Sequence, residues 1–330
     1  MSQQTQSHEF LAQYGALTHS VGFAPLPERT IVTVSGADRF QFLQSFTTND
    51  VKKLVVGQGC EAFVTSPQGK ILGYVLIFCE ADHHTIDTTP GQAATLISHF
   101  ERYVITEDVQ FIDRTAESCE LLVAGPKATE ILTALTSASP PQALLMHAPA
   151  TIAGRSVVLR RVEYAGSLSY FVQTATVDTT PIAAALVSAG ASLCDRAAID
   201  SARLELGVPL FGLDISPDNL PQEVARDMQA ISFTKGCYLG QETVARIDAI
   251  GHVNRLLVGL KFSADQLPAS GTTLLAADQP VGHTTSSAWS PRLSAALALA
   301  YVRRNHAKKG ESLTSAFGTA EVVSLPLAAS

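Results

Sequence analysis

The chain has 330 residues, 46% of them hydrophobic and 16% charged, with a formal net charge of -7. That length predicts two or three domains, and that composition excludes a disordered chain. The acidic balance argues against direct nucleic-acid binding, which calls for a basic face.

No Lys or Arg precedes Arg29, so a secretory or transit leader lacks its basic residues. The most apolar run, residues 295–302, is far too short to span a bilayer. A cytoplasmic protein without membrane contact is expected.

Residues 30–35 (TIVTVS) predict a β-strand, broken by Gly36. Asp38 then predicts a helix cap, with Phe40, Leu43 and Phe46 on one helical face. Residues 60–66 and 71–79 predict a hairpin, turning at Pro67-Gln68-Gly69-Lys70. A further turn is expected at Asp82-His83-His84. The strand–glycine–helix unit recurs at residues 120–135. There Gly125-Pro126 turns the chain, Pro126 suits a first helical position, and Ile131, Leu132 and Leu135 mark the helix. Residues 151–172 predict more strands. Residues 197–206 predict a helix closed by Gly207, before a Gly- and Pro-punctuated loop to Pro221.

Beyond Arg255 the texture changes. Strand-like runs at 255–262, 272–275, 293–302 and 321–325 predict a smaller all-β domain of barrel type. The boundary falls near residues 249–252, giving an α+β region over 1–250 and a β domain over 251–330.

Five cysteines occur: Cys60, Cys79, Cys119, Cys194 and Cys237. Their number is odd and their spacing wide, so neither a disulfide framework nor a built-in metal site is expected. The most informative run is Lys235-Gly236-Cys237-Tyr238-Leu239-Gly240-Gln241-Glu242. Residues 230–233 upstream read as a strand. Residues 241–247 read as a helix, capped by Gly240 and carrying Glu242 in its first turn. Cys237 is then expected in a turn before a helix N-terminus. That partial positive charge and the ammonium of Lys235 both favour thiolate. The flanking glycines leave room for a ligand or partner. By position alone, a small buried Cys filling a tight turn is the commoner arrangement.

The octet resembles the signature of the YgfZ family of folate-binding proteins, implicated in assembling or repairing iron–sulfur clusters and similar in fold to the glycine cleavage T-protein. Other landmarks occur in the order that family shows: Gly36-Ala37-Asp38-Arg39, Thr48-Asn49-Asp50, Ser66-Pro67-Gln68-Gly69-Lys70, the run from Arg203 to Pro209, Gly212, Asp214 and Pro221-Gln222-Glu223. The resemblance implies two interleaved α+β lobes and a C-terminal β-barrel, set as a ring around a central cavity. It implies tetrahydrofolate or a derivative as ligand. In the R-x-E-x-G pattern, Arg203 and Glu205 match, and Glu205 is the expected anchor for the pterin edge, whose paired N–H donors suit a carboxylate. The T-protein pattern also has acidic residues just after the hairpin. Here Gly73 and Tyr74 stand there, which counts against aminomethyl transfer.

Three functions are thereby weighed. The first is a folate-binding accessory protein for iron–sulfur enzymes, including tRNA-modifying ones. Cys237 would hold a cluster fragment or a persulfide transiently, or undergo reversible oxidation. Its expected partners are iron–sulfur client or assembly proteins. The second is a tetrahydrofolate-dependent one-carbon transferase, and the third an inactive folate-binding scaffold. His83-His84, His252 and the basic run Arg303, Arg304, His306, Lys308 and Lys309 read as solvated turns.

Overall fold

The computed structural model describes residues 7–327. The chain begins with α1 (His8–His19) and β1 (Gly22–Leu26). A first lobe follows: β2 (Thr30–Ser35), α2 (Arg39–Phe46), β3 (Gly59–Thr65), β4 (Ile71–Cys79), β5 (His83–Thr88), α3 (Ala93–Glu101) and β6 (Gln110–Asp113). The second comprises β7 (Ser118–Ala124), α4 (Ala128–Thr136), β8 (His147–Ile152), β9 (Arg155–Val162), β10 (Ser169–Ala175), α5 (Thr179–Ser188) and β11 (Ser192–Leu193). Three helices connect onward: α6 (Arg196–Leu206), α7 (Asp227–Ala230) and α8 (Gln241–Ile250). The barrel is β12 (Arg255–Phe262), β13 (Thr273–Ala276), β14 (Gln279–Ser290), β15 (Ala295–Arg303), β16 (Ser312–Ser315) and β17 (Gly318–Val323).

The first sheet runs β3-β4-β5-β2-β6, and the second runs β11-β1-β7-β10-β9-β8. Strand β1 precedes the first lobe in the chain yet pairs with β7 and β11 of the second, so the lobes interleave. The barrel closes in the order β12-β15-β14-β13-β16-β17. Closure leaves no unpaired edge, which removes the usual hazard of an exposed strand.

Helix α6 locks the barrel to the lobes. The fully buried Arg203 guanidinium donates to the Val208 carbonyl at 2.7 Å and to Asp214 at 3.1 Å. Asp214 in turn accepts from Thr285 and Ser286 of β14 at 2.6 and 2.5 Å. One face of α6 thus carries buried charge, and every such group is paired, as burial requires.

Several local expectations shift. In α2 the buried side is Phe42, Leu43 and Phe46, while Phe40 turns to the ring edge of His84, 4.4 Å away. Asp38 precedes that helix, but its carboxylate accepts from the Asp108 amide instead of capping. His84 lies buried within β5 and not in an exposed turn. Helix α4 starts at Ala128 with Lys127 as its cap, so Pro126 stands before the helix. Residues 230–233 are the end of α7 and a loop, because Ile231 and Ala230 pack against the α+β core without a strand to pair with. Strands β14 and β16 had no counterpart in the sequence reading. Their composition (QPVGHTTSSAWS and SLTS) is too polar to stand out, although each pairs with the next strand as a hairpin.

The hairpin turn and the start of α8 press backbone on backbone. Gly240 has φ +83°, and a Cβ there would lie 2.4 Å from the Ser66 carbonyl oxygen. A Cβ on Gly69 would meet Thr243 at 2.7 Å. Gly236 has nothing within 4 Å of its Cβ position. Gly240→Ala is therefore expected to lower stability by about 2 kcal/mol or more, from left-handed strain plus the clash, while Gly236→Ala stays within about 0.5 kcal/mol. Urea unfolding midpoints of the two variants check this; equal midpoints would refute the contact.

Candidate functional site

The octet alternates inward and outward. Lys235 is buried, and its ammonium donates to the carbonyls of Gln44, Thr47 and Asn49 at 2.6, 2.6 and 2.8 Å. Burial pushes its pKa down to about 8, against the pull of Asp50 and Cys60. Gly236 and Cys237 then face outward. Tyr238 turns back into the core, its ring 5.0 Å from the Lys235 ammonium. Leu239 is tied at both ends: its amide donates to Ser45 O at 2.9 Å and its carbonyl accepts from Thr65 at 2.6 Å. Gly240 begins α8, with Gln241 and Glu242 in the first turn.

The sequence reading set Lys235 beside the thiol as an activating charge. In the structure that charge is bonded under the turn to three carbonyls, so its role is to hold the turn in place.

Cys237 is exposed and the other four cysteines are buried. Burial pushes the thiols of Cys60 and Cys194 up to about 12 and also raises those of Cys79 and Cys119. Among the described residues, no group of three or more His, Cys, Asp or Glu side chains is placed to hold a metal ion.

Glu205 is buried on α6, not solvated. One oxygen accepts from the Tyr14 hydroxyl at 2.7 Å; the other accepts from Ser290 at 2.5 Å and, more weakly, from the Arg292 amide at 3.4 Å. It borders a hollow of about 610 Å³ with Thr18, His19 and Arg292. Arg203, its neighbour in the motif, is the inward clamp described above.

A separate cavity of about 640 Å³ opens between the two lobes, where the end of β1 meets the segment after β5. Pro25, Leu210 and Phe211 give it apolar walls, and Tyr164 an aromatic one. Arg29 and Arg196 line it beside Glu28, and Arg196 is paired with Asp200 at 2.7 Å. Arg29 is fixed by Asp87 at 2.6 Å and lies over the ring of Phe171 at 4.6 Å. Thr89, also in the wall, has a buried hydroxyl with no hydrogen-bond partner among the described residues.

Behind Arg29 the lobes join through charge. Arg160 of β9 is fully buried, 2.7 Å from Glu120 of β7 and 3.8 Å from Asp87 of β5. Desolvation, aided by Asp87, pushes Glu120 up to about 8 despite that arginine.

Gly73 and Tyr74 point opposite ways from β4. A Cβ on Gly73 would meet Leu96 in the core at 2.8 Å. The Tyr74 hydroxyl donates to Glu61 at 2.6 Å, from the neighbouring strand β3. Arg226 grips Glu61 with two donors, at 2.5 and 3.3 Å, and reaches Glu163 at 2.9 Å. Sequence reasoning missed this carboxylate, because its partners come from segments far apart in the chain.

Residues 3–235 match the GCVT N-terminal domain, and residues 255–327 match the glycine cleavage T-protein C-terminal barrel domain. The chain belongs to the glycine cleavage T-protein family. It is similar to the aminomethyltransferase of Nostoc sp., 26% identical across 94% of this chain and 82% of that protein. The aminomethyltransferase of Thermus thermophilus is 27% identical across 90% of this chain and 84% of its own length. Among solved structures, the glycine cleavage system aminomethyltransferase T from Bartonella henselae shares the fold, with a TM-score of 0.86 over 97% of this chain and 89% of that one, at 21% identity. Within this T-protein-family chain, the Cys237 turn and α8 fall between the two matched parts.

The interlobe charge cluster sets a pH dependence. The folded state keeps the Glu120 proton up to about pH 8, whereas the unfolded chain releases it near 4.5. Stability linked to this group is fully present below the lower value and is lost as pH rises through the upper one. Glu120→Gln is expected to flatten that fall, read as urea midpoints across the window; parallel profiles for both proteins would exclude Glu120 as the titrating group.

Proposed function

We propose that this chain binds a reduced folate, tetrahydrofolate or a derivative, in the interlobe cavity. We further propose that it presents Cys237 as a working thiol to iron–sulfur client or assembly proteins. The observation that carries this reading is the exposed Cys237 on a rigidly held turn, in a T-protein-family chain whose other cysteines are buried. The octet's resemblance to the YgfZ signature supports the iron–sulfur role, and with it tRNA-modifying clients and a cytoplasmic setting. With a single accessible thiol, a transient cluster would need its remaining ligands from the partner, whereas a persulfide would need only a partner that supplies sulfane sulfur.

The cavity fits the ligand. Its volume lies within the roughly 300–1,000 Å³ usual for ligand pockets. Tyr164 and the apolar wall suit a flat pterin, the orphan Thr89 hydroxyl offers a polar contact, and Arg196 at the rim suits an anionic tail. A placement at Glu205 is the alternative. Three hydrogen bonds already occupy that carboxylate, which leaves little acceptor capacity for a two-pronged pterin edge.

Tetrahydrofolate calorimetry separates these placements. Arg196→Glu is expected to weaken binding about tenfold, with Glu205→Gln near wild type. A loss of about 1.5–3 kcal/mol in Glu205→Gln alone would move the ligand to the second hollow.

Aminomethyl transfer is not expected. Position 73 faces the core, Tyr74 is no acid at neutral pH because burial and Glu61 hold its hydroxyl far above its ordinary value, and Glu61 is neutralised by Arg226. The names of the similar proteins favour that activity, so ammonia release from an aminomethyl-lipoyl carrier is the deciding assay. Enzyme-dependent release would overturn the present reading.

For the thiol, brief alkylation at neutral pH followed by peptide mass spectrometry should label Cys237 first. Cys237→Ser should keep its folate affinity yet fail to support iron–sulfur enzymes in cells. Full support by that variant would leave Cys237 without a function.

A further inference from the structure

The barrel carries a second charged surface, apart from the folate cavity and the thiol turn. After β15 the chain turns through Arg303, Arg304, Asn305 and Lys308. Opposite lies the link from α8 to β12, with His252 and Asn254. Together they wall an open hollow of about 700 Å³. The turn is held in place, since the Arg304 amide donates to Asn254 O and its guanidinium to Gly251 O, both at 2.9 Å. The nearby acid, Glu311, is taken by the His306 ring at 2.8 Å. Among the described residues, no carboxylate pairs with Arg303, Lys308 or Lys309.

Unpaired cations gathered in one hollow, on a chain of net charge -7, form a local field opposite to that of the whole molecule. Guanidinium forks match carboxylates and phosphates alike. The surroundings decide between them. RNA brings dense charge along an extended track, which the acidic body repels, and no Phe, Tyr or Trp lines the hollow to stack a base. A short run of Asp or Glu needs only a local patch. We propose that this basin docks a short acidic segment of a partner protein, its carboxylates on Arg303, Arg304 and Lys308. The basin adjoins the C-terminal end of α8, and the Cys237 turn adjoins the other end. Ten residues of helix separate them, about 15 Å. A partner held in the basin lies within reach of the thiol, although the docking itself does not rest on the thiol's role.

The test is fluorescence anisotropy of a fluorescein-labelled oligoglutamate peptide with the full chain. Binding is expected at low salt (~50 mM), falling roughly tenfold or more at ~300 mM. It should be lost in the double variant Arg303→Glu, Lys308→Glu, whose side chains hold no other part of the fold. Circular dichroism, thermal midpoint and folate affinity should match wild type, showing that the variant is folded. No binding of the peptide at low salt would overturn the proposal, as would undiminished binding by the variant. Tighter binding of an RNA oligonucleotide of equal charge, sensitive to the same variant, would also overturn it and assign the basin to nucleic acid.

Discussion

Lys235 holds the thiol turn from below. Its ammonium has three protons, and three carbonyl oxygens, of Gln44, Thr47 and Asn49, accept them. Two of those oxygens lie in the last turn and at the C-cap of α2, where backbone carbonyls lack helical partners and the helix dipole is negative. A cation arriving from nearly two hundred residues further along the chain therefore finishes the first lobe's helix. Burial disfavours the charged amine, and only a complete set of acceptors offsets that cost. A neutral side chain would withdraw this donor from the Gln44 and Thr47 carbonyls, while Asn49 O would keep the Val51 amide at 3.1 Å.

The rest of the turn follows from that anchor. With Lys235 and Tyr238 fixed inward, the two residues between them must loop outward, and Cys237 is one of them. Gly240 then enters α8 in the left-handed region, close against Ser66 and Gly69. The hairpin that resembled one family landmark and the octet that resembled another are thus two sides of one contact. Lys70 and Arg255 extend it by donating to the same carbonyl, of Asp218, at 2.6 and 3.1 Å. The thiol therefore sits where first lobe, central loop and barrel converge, on a rigid support, which is what presentation to a macromolecular partner requires.

How far the sequence foretold this depends on the range of the interactions. Strands β2, β3, β4 and β7 and the Gly207 cap were legible because local composition determines them. So was the start of α8, where glycine and helix formers adjoin. The polar strand β14 was not, because its composition hides it even though it pairs with the next strand, β15, as a local hairpin. Lys235 was read from its neighbour in sequence, Cys237, when its partners lie at the C-terminal end of α2 and just beyond it. Glu205 was read as a ligand-facing acid, and it does border a hollow; what the sequence did not show is its hydrogen-bond partners, on α1, at the end of β14 and in the loop beyond, far away in the chain. Glu61 and Arg226 went unnoticed for the same reason. Local patterning announces elements, and it is silent about which distant group will satisfy a buried charge.

That silence matters most at β4. Along a strand, successive side chains face opposite ways, so residues 73 and 74 cannot serve the same site. Glycine at 73 lets Leu96 pack against the strand, and an acid there would enter the apolar core of the first lobe. Tyrosine at 74 faces Glu61, and its hydroxyl shares that carboxylate with Arg226. Every member of the cluster has a partner: the arginine fork covers Glu61 and reaches Glu163, and the phenol donates a further hydrogen bond to Glu61. The T-protein architecture, with its interlobe cavity, thus carries at this strand a closed hydrogen-bond network. The groups left open to a partner lie elsewhere, Cys237 on the segment between the two regions matched to the family and the cations of the basic hollow within the barrel region, at opposite ends of α8.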